Sequence, residues 1–253
     1  MNMITYGHDR RVDVCREILG AEGKAPLFSG YETVCLLPIP SVRDGTHITG
    51  TDIPVLSLPS PGILIVGYAL PLALSRAAGE AGCTVCDISR DELFTADNAR
   101  LTAVGVIGHL LTSVSAAPED LRVGVIGYGR IGRELVRALL FFGADVKVYT
   151  GKEETRRALG RLGIDTESTV CTPSHPHPDF GGLDVLLNTA PVAGLITEEA
   201  GYLPPHIYEI ASGKNISDRV TYTALPSVPG KRYPESAGRA YARSVIRMVA
   251  GIV

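Results

Sequence analysis

Short apolar runs alternate with helix-spaced apolar residues along nearly the whole chain, and this alternation predicts an α/β protein built on parallel strands. Strands are expected over residues 3–6, 32–37, 63–66 and 83–86, with helices over 10–19 and 71–81. In the 10–19 helix Val12, Cys15 and Leu19 fall on one face, and the 71–81 helix opens on Pro71 and stops at Gly82. A long helical stretch, 91–111, reads as a connector between two domains. Beyond it, strands at 121–126, 145–149, 165–170, 184–188, 207–211 and 221–225 are interleaved with helices at 130–142 and 153–162, and a closing helix spans 235–252. Strand 121–126 carries no charge after Arg122, so it is expected to be central and buried on both faces, whereas 165–170 reads as an edge. A proline-, histidine- and glycine-rich loop fills 172–182.

These elements group into two parts. Residues 1–95, completed by the closing helix 235–253, form a smaller, flavodoxin-like α/β domain; residues 96–234 form a doubly wound Rossmann domain.

Composition narrows the classes of function. The 253 residues carry a net charge of −3 with no basic run, so neither nucleic acid nor an anionic membrane is an expected partner. The apolar runs are too short and too interrupted to span a bilayer, and the first residues lack the pattern of a secretory leader. The five cysteines are odd in number and scattered, which argues against a disulfide framework and for a reducing cytoplasm. Cys83 and Cys86 have CxxC spacing in a strand-like stretch without further ligands, so they read as small buried apolar side chains. His175 and His177 alternate on a loop and read as loop residues; His109 reads as a satisfied histidine on the connector helix. No metal site is expected, and no GxSxG, HExxH or Walker lysine supports a hydrolase or kinase.

The clearest chemical signal is Gly127-Tyr128-Gly129-Arg130-Ile131-Gly132, placed directly after an apolar strand and opening an amphipathic helix. Gly127 permits the tight turn, Gly129 lets a pyrophosphate approach the backbone, and Gly132 lets helix and strand pack closely. The helix N-terminus adds free N–H groups for the phosphates. A dinucleotide cofactor follows. At the end of the next strand an NAD site usually carries a carboxylate for the ribose hydroxyls, but this chain has Thr150-Gly151-Lys152. Lys152, with Arg156 or Arg157, suits a 2′-phosphate, so NADP is expected ahead of NAD. A later strand end, Asn188-Thr189-Ala190-Pro191, is placed beside the nicotinamide half.

With these residues in place the chain resembles the A-subunit family of dipicolinate synthase, which is related to the D-2-hydroxyacid dehydrogenases. The resemblance runs in order through Tyr6-Gly-His-Asp-Arg-Arg11, Leu36-Leu-Pro-Ile-Pro40, Ile63-Leu-Ile-Val-Gly67, Asn98-Ala-Arg-Leu-Thr-Ala-Val-Gly105 and the glycine loop. It continues through Asn188-Thr-Ala-Pro191, Glu209-Ile-Ala-Ser212, Leu225-Pro-Ser-Val-Pro-Gly230 and Ser236-Ala-Gly238. The Tyr149-Thr-Gly-Lys152 turn is similar to that of NADP-preferring glyoxylate/hydroxypyruvate reductases. The resemblance implies a hydroxyacid-dehydrogenase-like two-domain arrangement. It also implies NADP-dependent oxidation of a dihydrodipicolinate-type ring to dipicolinate, partnership with a flavoprotein-like B subunit, and a setting in sporulation. A homo-oligomer is expected as well. The chain departs from the family in having Val104 where the family's linker carries Glu, and Gly213-Lys214-Asn215 after Ala211-Ser212.

A dicarboxylate substrate needs cations or N–H groups to hold it, and a proton acceptor if a ring C–H is lost. The candidates are Ser41 and Arg43, after the Pro38-Ile39-Pro40 turn; Lys214, as cation or desolvated base; Lys231 and Arg232; and the N–H groups at Ser236-Ala237-Gly238. Two other readings stay open: a non-catalytic Rossmann sensor or scaffold, and a 2-hydroxyacid reductase.

Overall fold

The structure, a computed structural model, describes residues 2–21, 25–170 and 177–251. The chain forms two compact units, Met1–Leu101 with Pro229–Val253, and Thr102–Val228. Both are parallel α/β folds, as the alternating pattern predicts.

The first unit contains β1 (Asn2–Thr5), β2 (Thr33–Leu36), β3 (Ile63–Gly67) and β4 (Thr84–Asp87), all parallel, in the linear order β1-β2-β3-β4. The first strand is therefore an edge, whereas flavodoxin places it inside the sheet. Residues along β2 and β3 alternate between two cores, as the twofold strand period requires. Val34, Leu36, Leu64 and Val66 face α1 (Arg10–Gly20) and α7 (Pro234–Val249). Cys35, Leu37 and Ile65 face the other way, onto Ile48, Val55, Leu58 and Leu74, the last from α2 (Leu72–Glu80).

The end of the chain thus completes the first unit. On α7, Tyr241 is fully buried and its hydroxyl donates to the carbonyls of Leu37 (3.0 Å) and Val66 (3.3 Å). The α1 and α7 backbones approach closely because Gly238 has no side chain: a Cβ there would stand 2.5 Å from Val14 Cβ. At the start of α1, Asp9 caps the helix through Arg11 N–H and grips the buried Arg11 guanidinium, which also donates to Ile39 O at 2.6 Å. Asp9 in turn accepts from Ile39 N–H at 3.1 Å, so one ion pair ties the ends of β1 and β2 together.

The second unit contains β5 (Arg122–Ile126), β6 (Asp145–Tyr149), β7 (Asp165–Glu167), β8 (Val185–Asn188), β9 (His206–Glu209) and β10 (Thr223–Ala224). They form one parallel sheet in the order β10-β9-β8-β5-β6-β7. Counted from β5 this is the Rossmann order, with β5 central and buried, β7 at an edge, and the direction of winding reversing between β5 and β8. Helices α4 (Arg130–Phe141) and α5 (Glu153–Arg161) join β5 to β6 and β6 to β7. On α4, Gly132, Leu135, Val136 and Leu139 recur at helical spacing and are buried. The helix ends where Gly143 takes a positive φ of 84°.

The connector helix α3 (Glu92–Ser113) gives Phe94 to the core of the first unit and Ala103, Val106, Ile107 and Leu110 to that of the second. His109 lies edge-on to Tyr208, with ring centroids 5.3 Å apart, as expected of a packed histidine. The short helix α6 (Val228–Arg232) lies where the sequence pattern predicts none.

Removing one partner of a buried ion pair strands the other charge. Asp9→Ala is expected to destabilise the protein by about 3–5 kcal/mol, read as the shift in urea unfolding against wild type.

Candidate functional site

The crevice at the carboxyl ends of β5 and β8 is where an open α/β sheet binds its ligands. The glycine loop sits there. Gly127 has a φ of +90°, and its N–H donates to Tyr149 O at 2.8 Å, closing the turn onto β6. A Cβ on Gly127 would meet Thr189 Oγ1 at 2.8 Å, and one on Gly132 would stand 2.1 Å from Gly127 O. These two glycines are required by contacts inside the chain.

Gly129 is different. Its backbone is extended (φ −79°, ψ −161°), a conformation any residue adopts, and a Cβ on it would meet nothing within 4 Å. The fold does not need a glycine at this position; the open space over it is what a pyrophosphate requires. Gly129 is also the N-cap of α4 and offers no side-chain hydrogen bond to the first turn, which leaves N–H groups there for an anion. Gly129 and Arg130 are exposed, and Tyr128 is held by Arg133, whose guanidinium lies 5.8 Å from the ring centroid. The chain thus fits a dinucleotide.

At the end of β6, Thr150 is buried and its Oγ1 accepts from Lys152 N–H at 3.3 Å. Arg156 folds back to donate to Thr150 O at 2.7 Å, which sets its guanidinium beside this turn, while Arg157 forms an ion pair with Glu153 on its own helix. Arg156 is therefore the arginine that accompanies Gly151 and Lys152. The carboxylate at the end of the next strand, Glu167, is engaged by Lys147 at 2.6 Å and by Asp179 N–H at 2.7 Å.

On the other side of the crevice, Thr189 is locked to β5: its N–H and Oγ1 both donate to Ile126 O, at 2.9 and 2.8 Å. Ala190 follows, and Pro191 is exposed. Behind them lie Asn188, which the sequence pattern already places at this strand end, and Glu209, to which it assigns no role. Asn188 is 2% exposed and donates Nδ2 to both oxygens of Glu209 at 3.1 Å. Glu209 is 6% exposed and also accepts from Ala211 N–H at 2.9 Å. Burial raises the Glu209 pKa above the ordinary glutamate value, with the hydrogen bonds from Asn188, Ala211 and Asn215 opposing it. The available signal was a glutamate closing a short strand, and in the sheet it stands directly opposite the buried Asn188.

The candidates for chemistry fall on both units. Ser41 is fully buried; its Oγ donates to Pro38 O at 2.8 Å and accepts from Tyr68 N–H at 2.7 Å, so it orders two strand-end loops. Arg43 is exposed in the first unit, as are Lys231 and Arg232 on α6. Lys214 is exposed in the second unit and paired with Asp218, whose carboxylate raises the lysine pKa. Asp218 outweighs the little desolvation that Lys214 feels, so the lysine is favoured as a cation over a base. The Ser236-Ala237-Gly238 segment packs against α1 through Gly238. Cys171 and His175 lie outside the described residues; His177 faces Glu199 at 3.4 Å. Among the described residues, Cys15, Cys35, Cys83 and Cys86 are free thiols, no cluster of metal-ligating side chains occurs, and no helix is long and apolar enough to cross a membrane.

Solved structures share this architecture. The dipicolinate synthase A-subunit from Bacillus halodurans matches with a TM-score of 0.70 at 17% identity, covering 98% of this chain and 97% of that one. The corresponding polypeptide of dipicolinate synthase from Bacillus subtilis matches at 0.72 and 16% identity, covering 100% and 96%. The fold is shared with these dipicolinate synthase polypeptides. D-lactate dehydrogenase from Escherichia coli is also similar, at 0.61 and 12% identity, with 98% and 96% covered. No family model matches the chain, and no curated protein does.

Two tests separate structural from ligand-facing groups. Gly129→Ala is expected to leave stability unchanged or raise it by about 0.4–1 kcal/mol, since alanine tolerates this backbone. Gly132→Ala is expected to cost more than about 3 kcal/mol by overpacking; thermal unfolding of both variants reads the difference. Glu209 binds protons more readily in the folded chain than in the unfolded one. Its contribution to stability is therefore full below the ordinary value of 4.5 and is lost as pH rises through the raised folded value. Glu209→Gln should remove that downward slope from a series of urea midpoints.

Proposed function

We propose that the chain is an NADP-dependent oxidoreductase of the dipicolinate synthase A-subunit kind, oxidising a dihydrodipicolinate-type ring to dipicolinate. The observation that carries this reading is the space over Gly129, left open between two glycines that the fold itself requires. Gly127, Gly129 and the α4 N-terminus would hold the pyrophosphate, with Tyr128, Arg130 and Ile131 lining the turn. Thr150, Gly151 and Lys152, with Arg156, would surround the ribose 2′-phosphate; a carboxylate there would repel it, and Glu167 is held by Lys147. Thr189, Ala190 and Pro191 would border the nicotinamide half. Bound there, NADP supplies a hydride acceptor.

Aromatising the ring also releases a proton, and a dicarboxylate must be held by cations. Lys214, kept protonated by Asp218, serves as a cation. On the first unit, Ser41 orders the loop that precedes Arg43, an exposed candidate cation. The proposed partners are a second copy of the chain and a flavoprotein-like B subunit, with sporulation in the cytoplasm as the setting. A second reading, a nucleotide-binding scaffold without turnover, draws on the commitment of both Ser41 and Lys214 to partners within the chain.

Calorimetric titration with NADP and with NAD tests the proposal. Tighter binding of NADP is expected, and Lys152→Glu should weaken it by about tenfold or more while sparing NAD, the loss of one charge-assisted contact. Absence of binding to either dinucleotide overturns the reading. Tight binding without oxidation of the ring substrate, whether or not the partner polypeptide is present, selects the scaffold.

A further inference from the structure

Two acids are buried among the described residues, and they are balanced differently. Asp91 is paired with Arg247. Glu209 is met by hydrogen-bond donors alone: Asn188 Nδ2 at 3.1 Å, Ala211 N–H at 2.9 Å and the Asn215 side chain. Asn188 comes from β8, its register partner, and β10 contributes Ala224 alongside, so no titratable neighbour in either flanking strand faces the carboxylate. A group surrounded by donors is matched by an ionised carboxylate, which only accepts.

From this arrangement we infer that Glu209 is a positioning residue for the nicotinamide half of the dinucleotide site, acting through Asn188 on the backbone of Thr189 and Ala190. The inference rests on the dinucleotide-binding reading and adds a residue and a proton linkage to it. Asn188 Nδ2 points to Glu209, so its Oδ1 points the other way and accepts from Ala190 N–H at 3.2 Å. Thr189 is fixed to Ile126 O on β5, and Thr189 Oγ1 and Ala190 are the groups packed over Gly127. The strand end bordering the glycine turn is thus held from β5 on one side and from Glu209 on the other. A proton on Glu209 adds a donor to a ring of donors. Turning the Asn188 amide relieves that clash, but it aims Nδ2 at Ala190 N–H and strips that group of its acceptor. The ordered shelf therefore belongs to the ionised carboxylate, even though burial makes that form costly. Dinucleotide binding should release a proton and weaken on acidification.

The test uses the full chain, folded by circular dichroism, as wild type, Glu209→Gln and Glu209→Asp. Dinucleotide affinity is measured by calorimetry across a series of pH values, and amide hydrogen exchange is measured without ligand. Wild type is expected to lose affinity as pH falls. Glu209→Gln should bind about tenfold more weakly at neutral pH with a flat profile, and Glu209→Asp should restore the slope. In Glu209→Gln the Ala190 amide should exchange faster while Val123 and Val125 on β5 keep their protection. Wild-type affinity and pH profile in Glu209→Gln, or unchanged exchange at Ala190, overturns the inference and leaves the functional reading standing. Failure of wild type to bind either dinucleotide overturns both.

Discussion

Helix α4 can lie against β5 only because Gly132 carries no side chain where Gly127 O stands; an added Cβ would be 2.1 Å from that oxygen. Much of the second unit depends on this contact. It brings the helix N-terminus to the carboxyl end of the central strand, at the point where the winding of the sheet reverses. It also keeps the turn tight enough for Gly127 N–H to reach Tyr149 O, which couples the glycine loop to the end of β6. Gly129, between the two constrained glycines, then faces open space with uncapped N–H groups beside it. Packing demands and ligand demands are thereby divided among three closely spaced glycines.

The two sides of the crevice are stiffened by different chemistry. On the β6 side, the Lys152 N–H and the Arg156 guanidinium close on the hydroxyl and carbonyl of Thr150, which sets a guanidinium beside a turn that has no carboxylate of its own. On the β8 side, a buried carboxylate and a buried amide hold the strand end from behind. Burial of Glu209 costs stability at neutral pH, and polar groups kept at such a cost cluster where a site must be preorganised.

The first unit relies on its chain ends. The Asp9–Arg11 pair joins the ends of β1 and β2, and α7 returns from the far end of the sequence to cover one face of the sheet. Tyr241 and Arg247 anchor that helix, one through backbone carbonyls and one through Asp91.

Element types, nearly all of their positions and the place of the glycine loop are written in the residue pattern alone. Apolar periodicity and glycine spacing are local properties, and parallel strands buried on both faces display them plainly. Even the edge character of β7 was readable, from its polar residues. Whatever depends on partners distant in the chain needed the folded molecule. Folding distinguishes Arg156 from Arg157, because only a formed turn shows which guanidinium reaches Thr150. It turns Ser41 from a candidate for chemistry into a loop tie, because Tyr68 lies far from it in sequence. It makes Gly238 a packing residue, places the first strand of the small sheet at an edge, and brings Glu209 against Asn188. A carboxylate's role follows from what desolvates it and what donates to it, and both are set by strand pairing across the sheet.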